Sequence, residues 1–352
     1  MVRALKRVGE TLRKRWGLGA VRYTVILIVA LLAYGLVLLI AGKDPIKAYV
    51  DTFTFTFGSA YGFSELLVRM TPLLLTAVAV ALPSRLGLIN VGGEGQLYMG
   101  AWLATWGAIT FVSLPQAAFI PLLILLGFVG GGTWAAIAGF FRARGWVNET
   151  ITTLLMNYVA PLIVGFFIYG AWRSRVPGAS AFPQSATFPP AARLPRFFGT
   201  RVHLGLVLAL VALGIFWFML ERTKWGLKMR AIGGNPEAAR RLGMRLGLYF
   251  VVVMFIAGGI AGLAGMAEVS GLHWRLSAGF SPGYGFVGFL ISWLSGGSAI
   301  GIVTMSFVLA IVFAGGSLLQ ITQGVPFAAV NVLMALILFA VLIRPRLVRR
   351  KA

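Results

Sequence analysis

The chain has 352 residues, of which 59% are hydrophobic and 11% charged, with no cysteine and two histidines. A soluble domain carries about a quarter charged residues, so this composition excludes a soluble enzyme. The lack of cysteine excludes disulfides and thiolate metal sites, and we predict no metal site. The net charge of +22 lies in short basic clusters between neutral stretches; this is typical of membrane proteins and argues against nucleic-acid binding.

The predicted elements are transmembrane helices, each of which needs about 20 mainly apolar residues. In chain order, the windows without charge are 23–42, 70–84, 95–141, 150–172, 202–220, 246–267 and 276–343. The second window is short, and its helix is expected to begin near Glu65. The window 95–141 is long enough for two helices and 276–343 for three. We therefore predict an all-α, polytopic membrane protein with about ten transmembrane helices.

The basic residues predict the orientation of these helices. If the N-terminus is cytoplasmic and the spans alternate, most of the 31 Lys and Arg residues lie in cytoplasmic segments, as the positive-inside rule requires. Both termini are then cytoplasmic. The first span is too long for the apolar core of a cleaved signal peptide.

This orientation predicts one membrane domain with basic ends. Residues 1–22 form a basic, amphipathic N-terminus on the lipid bilayer, 23–343 the transmembrane domain, and 344–352 a basic tail. The largest external loop is 173–203 and the longest cytoplasmic loop is 222–247. The external loop is rich in proline; it either contacts a partner outside the membrane or is a passive connector.

Two glycine-rich segments open apolar helices. Gly92–Gln96 precedes the third span and Gly283–Gly288 the eighth, and the predicted topology gives these spans opposite directions. This favours an inverted repeat of about five plus five spans (5+5) with broken helices near the midplane. Small residues four apart, such as Gly127 and Gly131, are expected to let helices approach closely.

Polar residues inside the membrane mark the candidate path for a solute. A carboxylate there costs about 2.5–3.5 kcal/mol on insertion scales and normally faces a cavity or a partner. Asn90, Glu94 and Gln96 therefore either line a passage or hold a broken helix in shape. The other interpretation of Glu94, compatible with this one, is that it caps backbone amides at a helix start.

The segment 148–153 resembles a helix start, with Asn148 or Thr150 as the cap and Glu149 at the positive end of the helix dipole. Asn157 and Tyr158 lie deeper in the same span. Since polar groups in lipid seek an interior face, these two residues are further candidates for the path.

The cytoplasmic loop contains a short predicted helix. Asn235 is placed as its N-cap, Pro236 at the first helical position and Gly243 at its stop. Such a helix can dock into another protein, or it can be a solvated connector. The candidate docking residues are Asn235, Pro236, Glu237, Ala238, Ala239, Arg240 and Gly243.

Two nucleotide-binding motifs are excluded. Gly283-x-Gly285-x-x-Gly288 formally matches the dinucleotide motif, but no acidic residue follows it, and no phosphate-binding loop of the Gly-x-x-x-x-Gly-Lys-Ser/Thr type occurs. Glu268, His273 and Trp274, at the outer end of the seventh span, are interpreted chiefly as interface anchors, with gating or solute contact as the alternative.

Three segments together resemble the permease subunits of ABC importers for branched-chain amino acids, simple sugars and nucleosides, with the greatest likeness to the nucleoside, or general simple-sugar, branch. They are residues 89–96, 148–158 and 235–244. The likeness covers residues 20 to 345. One departure concerns the segment after the glycine-rich entry, where family members often carry polar or basic residues: here 283–302 stays uncharged, with Trp293 and Ser295–Ser298 instead.

The resemblance implies a transport subunit and no enzyme. ATP and Mg²⁺ would bind a separate ATP-binding cassette ATPase, and this chain would carry no cofactor. A second, different permease and an external substrate-binding protein or lipoprotein would complete an importer in the prokaryotic plasma (inner) membrane, and residues 236–242 would form the helix that couples to the ATPase.

The expected solute is a neutral polar molecule, with a nucleoside as the first choice. A simple sugar of the ribose or galactose type is the alternative within the family. A different class is an ion-coupled secondary transporter, in which Glu65, Glu94 and Glu268 would relay protons.

Overall fold

The computed structural model describes residues 28–29, 31–174, 183–325, 329 and 331–336. The basic ends predicted at 1–22 and 344–352 lie outside these residues. The described helices, in chain order, are α1 (Leu31–Ile40), α2 (Pro45–Phe57), α3 (Ala60–Ser84), α4 (Gly93–Thr110), α5 (Gln116–Ala143), α6 (Glu149–Tyr169), α7 (Leu204–Arg222), α8 (Lys224–Gly234), α9 (Pro236–Arg241), α10 (Leu246–Ala267), α11 (Tyr284–Leu294) and α12 (Ala299–Gln323).

The prediction of an all-α membrane protein is confirmed. Six of the described helices are long and apolar enough to cross a membrane, namely α3, α5, α6, α7, α12 and α10 with its extension to His273. Two shorter apolar helices, α1 and α11, fall in predicted windows, and α4 falls in the window expected to hold two helices. The sequence did not predict α2 or α8.

Contacts divide the chain into two compact units, 60–310 and 1–59 with 311–352. In the larger unit, α4, α5 and α10 pack backbone to backbone. A Cβ added to Gly131 would collide with the Gly258 carbonyl oxygen, and one added to Gly265 would collide with the Leu97 carbonyl oxygen. The expectation that small residues four apart allow close approach is confirmed, and the core of this unit is built on glycine.

In the smaller unit, α1, α2 and the end of α12 are joined by polar contacts. The Tyr49 hydroxyl donates to the Leu31 carbonyl oxygen at 2.6 Å, and the Gln323 amide donates to Asp51 at 3.1 Å. Lys43 donates to the Gln323 carbonyl oxygen. These bonds join the three helices and give Lys43 and Asp51 polar partners.

Residues 183–203, the longer of the two described parts of the predicted external loop, are bound to the end of α10. There Glu268–His273 widens into a π-helical turn that continues α10. Backbone bonds join Phe188 to Trp274 at 2.8 Å and Leu194 to Ser270 at 3.0 Å. Phe188 and Leu194 are buried. This part of the loop is therefore fixed on the helical bundle.

Replacing Gly262 with alanine is expected to destabilise the protein. The added Cβ would collide with the Gly127 carbonyl oxygen, and overpacking of this kind costs about 1–3 kcal/mol. The measurement is the melting temperature in detergent. Gly165→Ala on α6 is the matched control, because no atom lies within 4 Å of the added Cβ; equal melting temperatures for the two variants would contradict close backbone packing.

Candidate functional site

The two glycine-rich entries meet in space. Gly93, at the start of α4, lies against the backbone of Gly285, at the start of α11. The residue that precedes α11, Gly283, has a φ of +98°, a left-handed conformation that glycine adopts without strain. Because α11 has only 11 residues, it is about 17 Å long, roughly half the thickness of the hydrocarbon core. The helix starts of α4 and α11 form one crossing, which we call the entry junction.

Glu94 joins the two helices at the entry junction. It lies in the first turn of α4, is 5% exposed, and its Oε2 accepts the Gly285 backbone N–H at 2.7 Å. The first N–H groups of a helix have no partner within it and carry partial positive charge. Glu94 is therefore a capping residue, as one interpretation predicted, but the helix that it caps is α11, 191 positions away in the chain.

Asn90 and Gln96 form a closed amide pair beside Glu94. Asn90 Nδ2 donates to Gln96 Oε1 at 3.1 Å, and Gln96 Nε2 donates to Asn90 Oδ1 at 2.8 Å. Asn90 Oδ1 also accepts the Gly92 N–H at 3.0 Å. Both side chains are buried. The pair therefore bends the chain from 90 to 96 and satisfies the peptide groups of the bend.

Helix α6 supports the same bend from its side. Asn157 Oδ1 accepts the Gly95 N–H at 2.8 Å, and Asn157 Nδ2 donates to the Val91 carbonyl oxygen at 2.8 Å. Thr153 Oγ1 accepts the Val91 N–H at 3.2 Å. Tyr158, the next candidate in the sequence, is 66% exposed and does not join this cluster.

The predicted cap of α6 is present, and the neighbouring Glu149 makes further contacts at the same helix start. Asn148 is the N-cap and accepts the Thr150 N–H at 2.8 Å. Glu149 is buried; it accepts the Ile89 N–H at 3.2 Å and pairs with Arg142 at 3.0 Å. The start of α6 is thus tied to the bend and to the end of α5. Only the cap itself could be read from the sequence.

Arg69 was missed by the sequence analysis, which began the second window after it. Arg69 Nη1 donates to the Tyr284 hydroxyl at 2.7 Å, and Thr76 Oγ1 donates to the Tyr284 carbonyl oxygen at 3.1 Å. Both donors lie on α3. An arginine within an apolar helix is costly unless it has a partner, so Arg69 was itself a signal. The start of α11 is therefore held by α3 through Tyr284 and by Glu94 through Gly285.

A charged cluster lies where the starts of α3 and α7 meet the end of α10. Glu65 on α3 pairs with Arg201 at 2.9 Å, and Glu268 pairs with His273 at 3.6 Å. Burial lowers the pKa of His203 to about 4, so this histidine is neutral at pH 7, and its Nδ1 accepts the Gly205 N–H at 3.1 Å. His203 therefore caps α7 as a neutral group.

The predicted docking segment forms the short helix α9. Asn235 is its N-cap and accepts the Ala238 N–H at 3.0 Å. Pro236 is the first helical residue, and Gly243 ends the turn with a φ of +80°. Ala239 is buried, whereas Glu237 and Arg240 are exposed. The Arg240 Nη1 and Glu237 Oε2 atoms lie 3.4 Å apart. The helix start and stop predicted from the sequence are confirmed.

Arg85 connects the segment before α9 to the turn after α11. A Cβ on Gly233, near the end of α8, would collide with the Arg85 carbonyl oxygen, so the two backbones touch. The Arg85 guanidinium donates to the Gly297 carbonyl oxygen at 2.6 Å. A chain of direct contacts thus runs from α8 through Arg85 to the turn between α11 and α12.

No group of three or more His, Cys, Asp or Glu residues among the described residues is arranged to hold a metal ion. The polar side chains of the entry junction bond to protein groups instead. Apolar helices of spanning length around two broken, carboxylate-linked helix starts define a polytopic membrane transport protein.

Comparisons with known proteins identify its family. Residues 62–342 match the family described as "Branched-chain amino acid transport system / permease component". The chain is 38% identical to the glucose ABC transporter permease protein TsgB13 of Haloferax volcanii, over 89% of this chain and 85% of that one. It is 31% identical to the guanosine ABC transporter permease protein NupP of Bacillus subtilis, over 90% and 91% respectively. A nucleoside ABC transporter permease protein of Lactococcus lactis, NupB, is 28% identical over 91% and 90%.

The chain belongs to this permease family. It is the permease subunit of an ABC importer, a multi-pass protein of the inner membrane. The resemblance found in the sequence is confirmed. The protein is a transport subunit and no enzyme, and the family works with ATPase and substrate-binding partners.

Glu94→Leu is expected to destabilise the entry junction, because the Gly285 N–H would lose its acceptor in a buried site. An unsatisfied buried donor costs about 1–3 kcal/mol. Glu94→Gln keeps one acceptor oxygen and should cost less than half as much. The measurement is the melting temperature in detergent, and equal losses in the two variants would contradict the capping role.

Proposed function

We propose that this permease imports a neutral polar solute, with a nucleoside as the first candidate, by alternating access driven by a separate ATPase. The observation that carries the neutral class is the state of the buried carboxylates among the described residues. Glu65, Glu149 and Glu268 pair with cationic or titratable side chains, and Glu94 accepts a backbone N–H. A cationic solute would require a buried carboxylate without another partner. An anionic solute would require a buried cation in the same state, and the Arg69 guanidinium donates to the Tyr284 hydroxyl.

The same contacts argue against proton relay. Glu65, Glu94 and Glu268 are separately engaged, with Arg201, the Gly285 amide and His273 respectively. A relay needs groups that exchange protons along a connected path. An ion-coupled carrier is therefore a poorer explanation of this arrangement than an ATP-driven permease.

A free sugar is the second candidate solute. The glucose permease TsgB13 has the higher identity, 38%, whereas the nucleoside permeases NupP and NupB have 31% and 28%. A nucleoside and a hexose share hydroxyl groups on a neutral ring. We place the nucleoside first because two of these three relatives carry nucleosides and because a base offers a face for aromatic stacking.

In the proposed mechanism, the broken helices at the entry junction are the moving parts. Asn90, Glu94, Gln96 and Asn157 would hold the two helix starts in register, and Tyr158 would contact solute or a neighbouring subunit. The support is that the first four side chains bond to the bend or to Gly285. Displacing α11 would break the bond to Glu94 and leave amides free to meet a polar solute.

We place α9 at the ATPase. Asn235, Pro236, Glu237, Ala238, Ala239, Arg240 and Gly243 would form the coupling surface, with both termini of the chain on the same, cytoplasmic side. The support is that α9 is exposed, is capped at both ends and lies in a loop rich in lysine and arginine. As part of the same proposal, the chain is divided into two basic ends and one transmembrane domain, 23–343.

We further propose that the ATPase binds ATP and Mg²⁺ and that the second permease differs from this chain. Two organisms support a heterodimer. In Bacillus subtilis the chain resembles two guanosine permeases, NupP and NupQ, and in Lactococcus lactis it resembles two nucleoside permeases, NupB and NupC. An external substrate-binding protein or lipoprotein would deliver the solute.

The proposed function is tested by uptake into proteoliposomes that contain the complete importer with ATP at the ATPase. We expect accumulation of labelled guanosine that stops when ADP replaces ATP. Accumulation of glucose without guanosine would support the second candidate. Accumulation driven by an ion gradient without ATP would contradict the proposal.

Arg85→Ala is expected to reduce coupling. The variant loses a charge-assisted hydrogen bond to Gly297, typically about 1.5–3 kcal/mol, so transmission from α8 to α11 should weaken. The measurement is solute molecules imported per ATP hydrolysed, which we expect to fall about tenfold while ATP hydrolysis continues. Lys228→Ala, which removes an exposed cation from α8, is the matched control, and an unchanged ratio for Arg85→Ala would remove Arg85 from the mechanism.

A further inference from the structure

A hairpin stands at the outer end of α7. The Phe197 N–H donates to the Val202 carbonyl oxygen at 2.8 Å, and the Leu204 N–H donates to the Pro195 carbonyl oxygen at 3.0 Å. Two residues at its tip, Phe198 and Gly199, have φ of +56° and +63°. Positive φ at both central residues is the pattern of a tight hairpin turn, in which asparagine and glycine are preferred. Residues 195–204 are called the outer hairpin below.

A phenylalanine at position 198 is unfavourable for the fold and unusual on a protein surface. A large aromatic residue at positive φ is strained, and asparagine or glycine would relieve that strain. The Phe198 side chain is 95% exposed. The strained ring therefore gains almost no burial within this chain, and strain of this kind is a reason to look for a function.

The base of the outer hairpin is firmly anchored. Val202 packs in a buried cluster with Val68 and Leu272, and Phe197 packs against that cluster. Arg201 pairs with Glu65 at 2.9 Å. The tip is thus a rigid projection, and a rigid aromatic anchor is the kind of group that dominates protein interfaces.

The surroundings of the tip are basic. The segment that carries the tip, 193–203, contains three arginines, Arg193, Arg196 and Arg201, and no acidic residue. Arg193 and Arg196 both lie 4.4 Å from the centre of the Trp274 ring. Burial, together with the neighbouring Arg201 and Arg193, lowers the pKa of Arg196. A partner that covers Phe198 therefore needs an acidic surface around an apolar pocket.

The position of the hairpin favours a protein partner over lipid. Its base rests on two buried residues, Val68 of α3 and Leu272 of the π-helical turn. Lipid reaches the perimeter of a helical bundle, whereas the hairpin base covers these buried side chains. The 19-residue helix α7 separates the hairpin from the loop that carries α9, so the two surfaces lie on opposite sides of the membrane.

We propose that Phe198 is the docking residue for the external substrate-binding subunit, with an acidic surface of that subunit facing the arginines around it. This inference rests on the importer function proposed above, and it adds the place where the subunit binds. The anchored base also connects the tip to α3, which holds Tyr284 at the start of α11 through Arg69. Docking at Phe198 can therefore be sensed at the entry junction.

The decisive variant is Phe198→Gly. Glycine adopts positive φ without strain, so the melting temperature of the complete importer in nanodiscs should stay the same or rise. Binding of the purified substrate-binding subunit should weaken at least tenfold, as expected for an aromatic anchor. These opposite effects separate a docking role from a structural one. If Phe198 were needed for the fold, its replacement would lower both the melting temperature and the binding affinity.

Two controls sharpen this test. Phe198→Tyr keeps the ring and should keep binding within threefold of the wild type. Phe166→Ala removes an exposed phenylalanine from α6 and should leave binding unchanged. Wild-type affinity in Phe198→Gly would overturn the proposal, as would equal losses in Phe198→Gly and Phe166→Ala.

Photo-crosslinking identifies what covers the tip. With p-benzoylphenylalanine in place of Phe198 in the complete importer, a crosslink to the substrate-binding subunit supports the proposal. A crosslink to phospholipid or to the second permease, or none to the subunit, overturns it. Both tests measure binding of the substrate-binding subunit, so they can contradict docking at Phe198 while wild-type uptake still succeeds. The importer function itself is tested by uptake alone.

Discussion

The structure depends on how backbone amides are satisfied where helices begin inside a membrane. Lipid offers no hydrogen bonds, so a helix that starts in the bilayer leaves its first N–H groups without partners unless the protein supplies acceptors. Here α11 starts against α4, and Glu94 supplies an acceptor to it from α4. The amide pair of Asn90 and Gln96 and the side chain of Asn157 do the same for the bend before α4. A chain that crosses the membrane many times can thus contain broken helices.

Much of this arrangement could be predicted from the sequence. Apolar windows predict where helices lie, because hydropathy reflects transfer into lipid directly. About ten spans were predicted, and six of the described helices are of spanning length. Local caps were also readable: Asn235, Pro236 and Gly243 act on their own helix within a few residues, and the structure has them as expected. The two glycine-rich entries were recognised as related, and they touch.

The remaining features depend on contacts between distant segments. Glu94 was a visible capping group, but nothing local identifies α11 as the helix it caps. Arg69 with Tyr284, and Arg85 with Gly297, are each separated by more than 200 positions. Such pairs leave no periodic pattern in one sequence. The use of Asn90, Glu94, Gln96, Asn157 and Tyr158 in solute contact stays a prediction, since four of them are engaged with the protein itself in this conformation.

The glycine contacts between α5 and α10 restrict which parts of the permease can move. Side chains between helices act as a compliant layer that can change rotamer when one helix slides past another. Gly131 and Gly258 leave no such layer, because backbone atoms touch directly. Sliding would bring backbone atoms of one helix into collision with those of the other, so α5 and α10 are expected to move together. The start of α11 meets α4 in the same way, because a Cβ on Gly285 would collide with the Glu94 backbone nitrogen. Any change at that joint would therefore have to separate the two helices, since neither can slide along the other.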